Sequence, residues 1–323
     1  MKRMLYVHLT FFFCAVSVAA GGTTVSIHGV QWRINDNITY PGTPAEGLLM
    51  NVRMVNSTFE DRKRADFDSD KNTDRFISKI SEYNSYGVRA FTLNLQGGFP
   101  GYEGAVNSAF RPDGSLRKSY LGRIKRVIEE CDKHGMVVIL GLFYQRQDQI
   151  LQDEQAVKRA VVNAVNWVKE SGFTNVAVDI ANEYDHGGFN HKIIKTAEGE
   201  VELIRLAKKT VPGLLVSVSG LGNGRMNDLI AKEADFILIH FNGTKVEDIP
   251  ERIGALKKYN KPIVCNEDDK IGKEGVLALQ ACVENGCSWG FMYNKLNQYE
   301  PFEFNGYSDD REVYDKFKKV TEK

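Results

Sequence analysis

The sequence predicts an α/β fold in which eight parallel strands, each followed by a helix, close into a (β/α)8 barrel. Three observations predict it. Short apolar runs alternate eight times with amphipathic stretches of helical period. Gly87, Gly135, Gly172, Gly213 and Pro262 stand at the helix-to-strand joints, where C-caps and helix breakers belong. Polar and acidic residues gather where the apolar runs end, above all Asn182-Glu183 and Asn266-Glu267. An open doubly wound sheet is the competing architecture, but no glycine-rich phosphate turn follows its would-be first strand.

The first 20 residues are set apart from this pattern. Lys2 and Arg3 precede an apolar run from Phe11 to Ala20, which ends in Val18-Ala19-Ala20-Gly21. That order of charge, apolar core and small residues is expected of a signal peptide spanning 1–20. A membrane anchor would need about 18 or more apolar residues. The reading implies a secreted or periplasmic protein with no membrane contact after cleavage, and a single catalytic domain over 21–323.

Thr24 to Tyr40 reads as small antiparallel strands with turns at His28-Gly29 and Asn35-Asp36. This hairpin is expected to plug the N-terminal mouth of the barrel. The eight barrel strands are then expected at 48–56, 88–95, 136–144, 175–182, 214–220, 235–241, 262–265 and 288–293. Helical patterns fall near 73–86, 115–134, 153–171, 193–211, 226–233, 245–259, 271–284 and 309–321. The runs at 176–180 and 262–265 are apolar on both faces, as parallel strands are. One loop is unusual. Gln96 to Arg111 is long, glycine-rich and aromatic, and follows the second strand.

Composition narrows the partners. The chain of 323 residues is 42% hydrophobic and 26% charged, with Lys+Arg and Asp+Glu both 42. No basic stripe argues for nucleic acid, and balanced charge suits a neutral small molecule or polymer. A monomer is expected. Outside the leader stand Cys131, Cys265, Cys282 and Cys287, in no metal-binding spacing. Cys282 and Cys287 are close enough to bridge in an oxidising compartment, and buried thiols are the equal alternative.

In a barrel of this kind the carboxyl ends of the strands line one cavity. Glu183 and Glu267, at the ends of the fourth and seventh strands, should face each other across it. Strict alternation would place Glu183 with Asp179 and Ala181, and Glu267 with Ile263 and Cys265. Two converging carboxyl groups are the minimum equipment for cleaving a glycosidic bond, one protonated and one ionised. The plainer reading is two rim carboxylates paired with Arg or Lys. His240, Asn94, Tyr144 and Asn56 end other strands, and Trp289 and Tyr293 share a face of the last; amides and aromatic faces suit hydroxyl-rich ligands. Arg53 and Asp179 lie inside apolar strands and need partners, so they, or Arg89, are expected to pair beneath the site. No His-x-His or HExxH stands in the chain, and neither cofactor nor metal is expected.

Asn182-Glu183 on strand four with Glu267 on strand seven resembles the signature of the clan A retaining glycoside hydrolases. With the leading hairpin, His240 and Trp289, it is most similar to family 5, the cellulase-like glycanases. The resemblance implies Glu183 as acid/base, Glu267 as nucleophile, Asn182 as donor to the sugar 2-hydroxyl and Trp289 as a sugar platform. The substrate would be a poly- or oligosaccharide with β-linkages. Some positions depart from the family. Tyr184 replaces the usual Pro, Asn94 the usual Arg of strand two, and Asn242 stands where a tyrosine usually partners the nucleophile. A carbohydrate-binding barrel without turnover is the alternative. A metal-dependent hydrolase using Asp268 and Asp269 is a third reading.

Overall fold

Two tight turns shape the first segment of the computed structural model, which describes residues 22–97 and 104–323. Gly29 (φ +63°) opens the turn between β1 (Val25–His28) and β2 (Gln31–Ile34). Asn35 and Asp36 (φ +52° and +60°) make the turn to β3 (Asn37–Ile38). Left-handed residues at these central positions give the turn twist that antiparallel strands require. Register follows, with His28 opposite Gln31 and Ile34 opposite Asn37. The expected leader over 1–20 lies outside the described residues, as do 98–103 of the Gln96–Arg111 loop.

Eight parallel strand positions then form a ring. They are β4 (Asn51–Arg53), β5 (Ala90–Asn94), β6 (Val137–Phe143), β7 (Val176–Ala181), β8 (Leu215–Ser217), β9 (Ile237–His240), β10 (Ile263–Glu267) and a last strand split into β11 (Cys287–Ser288) and β12 (Gly290–Phe291). Ladders join β12 to β4 and run on to β8, and a second set joins β9, β10 and β11. Two parallel bridges, Ser219 with Leu238 and Asp268 with Phe291, close the remaining gaps. The open-sheet alternative is thereby excluded.

Alternation sorts the strand side chains into two cores. Val52, Phe91, Leu93, Val138, Leu140, Val178, Ile180, Ile239 and Cys265 face the helices. Leu49, Ala90, Val137, Ile139, Ala177, Leu238 and Val264 fill the lower interior around fully buried Trp32 of β2. Trp32 meets Phe236 edge-on at 5.2 Å between centroids. The leading strands therefore seal the barrel floor. Above this apolar layer the interior turns polar, with Asn51, Arg53, Thr92, Asn94, Asp179, Ser217, Ser219, His240, Asn266 and Glu267 all buried.

The outer helices are α1 (Ser69–Ile77), α2 (Ile80–Ser85), α3 (Lys118–Lys133), α4 (Glu154–Glu170), α5 (Lys192–Lys195), α6 (Ala197–Thr210), α7 (Asp228–Glu233), α8 (Ile249–Leu256), α9 (Gly272–Glu284) and α10 (Arg311–Thr321). α4 shows why they form. Asp153 caps its first turn by accepting from the Ala156 amide, and Ala156, Val157, Ala160, Val161, Ala164, Val165 and Val168 make one buried stripe. The single helix expected at 73–86 is two, parted at Ser78-Lys79, and the first barrel strand is shorter than 48–56 because a 3-10 turn at Val55–Thr58 redirects the chain after Arg53. All four described cysteines are free and buried, so Cys282 and Cys287 are thiols here.

Candidate active site

Glu183 sits just past the end of β7 in a left-handed conformation, φ +53°. A non-glycine residue there carries roughly 1–2 kcal/mol of backbone strain. The surroundings hold it in place. Its amide donates to Ser219 Oγ at 3.1 Å, and the Tyr184 amide donates to the Ser219 carbonyl at 3.1 Å. Ser219 is itself fixed by Asp179, to which its amide donates at 2.9 Å and its hydroxyl at 3.1 Å. Strain fastened this way is characteristic of functional sites.

Glu267 reaches the same cavity by another route. Cys265 pairs with Ile239 and Glu267 with His240, so the ladder carries a bulge at Asn266. The strict alternation expected from the sequence, with Glu267 on the face of Cys265, is overturned. Cys265 faces the helices, and the extra residue swings Glu267 inward.

Six side chains then meet. His240 Nδ1 lies 3.2 Å from Glu183 Oε1 and 3.6 Å from Glu267 Oε2. Arg53 Nε lies 2.9 Å from Glu267 Oε2, and its Nη2 donates to Asn182 Oδ1 at 2.7 Å. Asn242 Nδ2 donates to Glu267 Oε1 at 2.7 Å. Ligand-capable atoms of Glu183, His240 and Glu267 all fall within 4.8 Å of one another. The two glutamate side chains are recessed but open, 13% and 9% exposed.

Burial alone would lower the His240 pKa, but the charge of Glu267 and the bond to Glu183 outweigh it and hold the ring above its ordinary 6.5. Burial pushes the Glu183 carboxyl up, and the His240 bond and charge, with Arg53, bring it below the ordinary range. The two shifts run in opposite directions and both favour the proton on the imidazole over Glu183, with Nδ1 the nitrogen that faces both carboxylates. Beneath them Asp179 is fully enclosed; desolvation raises it to about 7 against the pull of His240, Arg53 and Ser219. Three clustered ligands are also what a divalent ion accepts. Here the guanidinium of Arg53, 2.9 Å from Glu267 Oε2, competes with an ion for that carboxylate.

The other predicted residues divide. Tyr144 joins the site, with the Arg53 guanidinium 5.9 Å from its ring centroid. Asn182 joins it too, donating to Gln145 Oε1 at 3.0 Å while accepting from Arg53. Asn94 points into the polar interior from β5, and neither side-chain polar atom has a partner among the described residues. Trp289 does not belong. It is fully buried, its indole N–H donates to Asp268 Oδ2 at 2.8 Å, and it packs on Phe291 and on Phe317 of α10. It faces outward because Ser288, its neighbour, faces in and takes the Leu49 amide. Tyr293, on Trp289's face, packs against Phe291 at 6.0 Å. Asn56 is a loop anchor, donating to the Gln298 carbonyl at 2.8 Å.

The expected buried pairing is corrected as well. Arg53 pairs with Glu267 rather than with Asp179, whose hydrogen bonds go to Ser219. Arg89 lies lower, donating to the Asn84 and Val88 carbonyls. Asp268 is bound by Lys270 and Trp289, and Asp269 by Asn294, so neither stands free for a metal. Sequence reasoning missed Ser219 as the tether of Glu183; its place at the end of the fifth barrel strand was the available signal.

No family model matches the sequence, and no curated protein does. Solved structures do match the fold. A candidate glycoside hydrolase from Bacteroides vulgatus superposes with a TM-score of 0.66 at 13% identity, over 93% of this chain and 60% of that one. An exo-β-1,4-mannosidase from an Opitutaceae bacterium gives 0.61 at 11% identity, over 91% and 61%. A family 5 lichenase from a Caldicellulosiruptor species gives 0.59 at 12%, over 92% and 98%. The fold is the (β/α)8 barrel. This chain spans about three fifths of the length of the first two of these proteins.

Proposed function

We propose that this protein is a retaining glycoside hydrolase acting on β-linked poly- or oligosaccharides, a divergent relative of the family 5 glycanases. One observation carries the reading. Glu183 and Glu267 converge at the barrel mouth, one carboxylate oxygen of each lying within 4.8 Å of the other and of a ring nitrogen of His240, a proximity that supports the shorter of the two carboxyl spacings. Separations of roughly 5–5.5 Å go with double displacement, and 6.5–9.5 Å with inversion. Neighbours of the same fold that include a broad-specificity endoglucanase and an exo-β-1,4-mannosidase support the substrate class.

Glu267, ionised beside Arg53, attacks the anomeric carbon and forms the glycosyl ester. Glu183 takes the proton from His240 Nδ1 and delivers it to the departing oxygen. Esterification removes the charge of Glu267, the strongest influence raising the His240 pKa, so imidazole and Glu183 are left neutral and anionic. Glu183 then deprotonates the incoming water, which attacks the ester, and the proton returns to His240. We also propose that residues 1–20, with their charged, apolar and small-residue order, act as a signal peptide for export.

The test is Glu267→Ala, assayed on 4-nitrophenyl β-glycosides and on β-1,4-glucans and mannans. Turnover should vanish and return with azide, giving a glycosyl azide of inverted configuration. Wild-type activity in that variant would sink the assignment. A wild-type protein that binds these sugars but cleaves none would mark the carbohydrate-binding alternative.

A further inference from the structure

The nucleophile carboxylate has a cation beside one oxygen and a hydrogen-bond donor, Asn242, at the other. Arg53 Nε lies 2.9 Å from Glu267 Oε2 as an ion pair out of hydrogen-bond alignment, whereas Asn242 Nδ2 donates a hydrogen bond to Oε1 at 2.7 Å. The last torsion of a glutamate is broad and nearly two-fold, so one contact leaves the carboxylate plane free to turn. The Asn242 hydrogen bond to Oε1, with the Arg53 charge opposite at Oε2, sets the plane. The amide can be oriented only one way, because an ionised carboxylate offers acceptors alone.

The loops around Asn242 are shaped to seat it. A methyl group on Gly222 would collide with Asn242 Oδ1 and come within 3.0 Å of both Asn242 Cγ and the Gly243 amide nitrogen. Glycine is therefore required where the loop after β8 passes under the loop after β9. The Gly222 carbonyl clasps that second loop, accepting from the Gly243 amide at 2.8 Å and from Thr244 Oγ1 at 3.0 Å. The arrangement leaves Asn242 Oδ1 buried with no hydrogen-bond partner among the described residues. A merely structural position would shed that penalty with an apolar side chain.

We infer that Asn242, seated on Gly222, is the positioning residue of the nucleophile Glu267, in the place where the related glycanases were expected to carry a tyrosine. The inference rests on the retaining-hydrolase reading of the site. Its geometry, however, is testable apart from turnover.

Three variants test it, Asn242→Ala, Asn242→Asp and Gly222→Ala, each with kinetics on 4-nitrophenyl β-glycosides and a crystal structure. Asn242→Ala should lower kcat about 10- to 100-fold, the value of one hydrogen bond to a charged group, with KM within about threefold and little change in melting temperature. Gly222→Ala should do the same with Asn242 still present but displaced. Asn242→Asp keeps the shape but turns an anion toward Glu267, so activity should reappear only at acid pH, where the new carboxyl is protonated and donates; Arg53 and His240 still face Glu267 in that variant. Unchanged kcat in Asn242→Ala, or an Asn242→Asp pH profile matching wild type, overturns the inference. If the wild type cleaves nothing, the hydrolase reading fails and the structures decide the geometry. A Glu267 carboxylate that turns in Asn242→Ala upholds the positioning role, and one that stays fixed refutes it.

Discussion

Removing the Arg53 guanidinium is the sharpest test of how the site is held together. Arg53 and Glu267 are both buried, and Nε lies 2.9 Å from Oε2. At an effective dielectric near 20 the attraction at that distance is about 6 kcal/mol. Most of it offsets desolvation, and breaking such a pair from one side costs about 3–5 kcal/mol. Arg53→Met fills a similar space but leaves Glu267 with His240 and Asn242 as its remaining partners, and Asn182 Oδ1 without its donor. For a domain of this size we expect Tm to fall by roughly 6–12 °C, with kcat/KM lost along with it. Arg53→Lys should recover part of the Tm but not the activity, since an ammonium lacks the planar fork that reaches Glu267 and Asn182 together. Differential scanning calorimetry with kinetics reads both. An Arg53→Met protein melting within about 2 °C of wild type would refute the reasoning.

Stability should decline between pH 5 and 8. His240 is held above 6.5, so its contribution is present below that value and lost as pH rises through the folded pKa. Asp179, raised to about 7, binds a proton when folded that the unfolded chain has already released, which gives the same sign over pH 4–7. Denaturant melts of Asp179→Asn should show a decline shallower by about 1 kcal/mol or more; parallel curves would contradict this. Trp289→Phe should leave KM and kcat unchanged while lowering stability by about 1–3 kcal/mol, because Asp268 Oδ2 loses a buried donor. A large rise in KM would return Trp289 to the sugar site. Mass spectrometry of the exported protein should find the mature chain starting near Gly21, and a retained Met1 would count against the leader.

Much of the candidate site is legible in the sequence. Glu183 and Glu267 were marked by their place after apolar runs, a property of local sequence. The ring of eight strands was marked by the recurrence of such runs with capped amphipathic stretches between them. What misled was the assumption of unbroken alternation. It set Glu267 on the face of Cys265, and only the Asn266 bulge corrects that. It rightly grouped Trp289 with Tyr293 but could not say which face of the last strand looks inward. Asn242 was noted as a departure from an expected tyrosine, and nothing in its neighbourhood revealed that Gly222 makes room for it.

The sequence by itself determined the strand and helix periods, the tight turns at Gly29 and Asn35-Asp36, and the two acidic strand ends. These follow from interactions among residues close along the chain. The tertiary structure decided which side of each strand faces the cavity and which buried groups share their charges, as Arg53, His240 and Asn242 do around Glu267. Those choices depend on ring closure and on desolvation, and both arise only when distant segments are brought together.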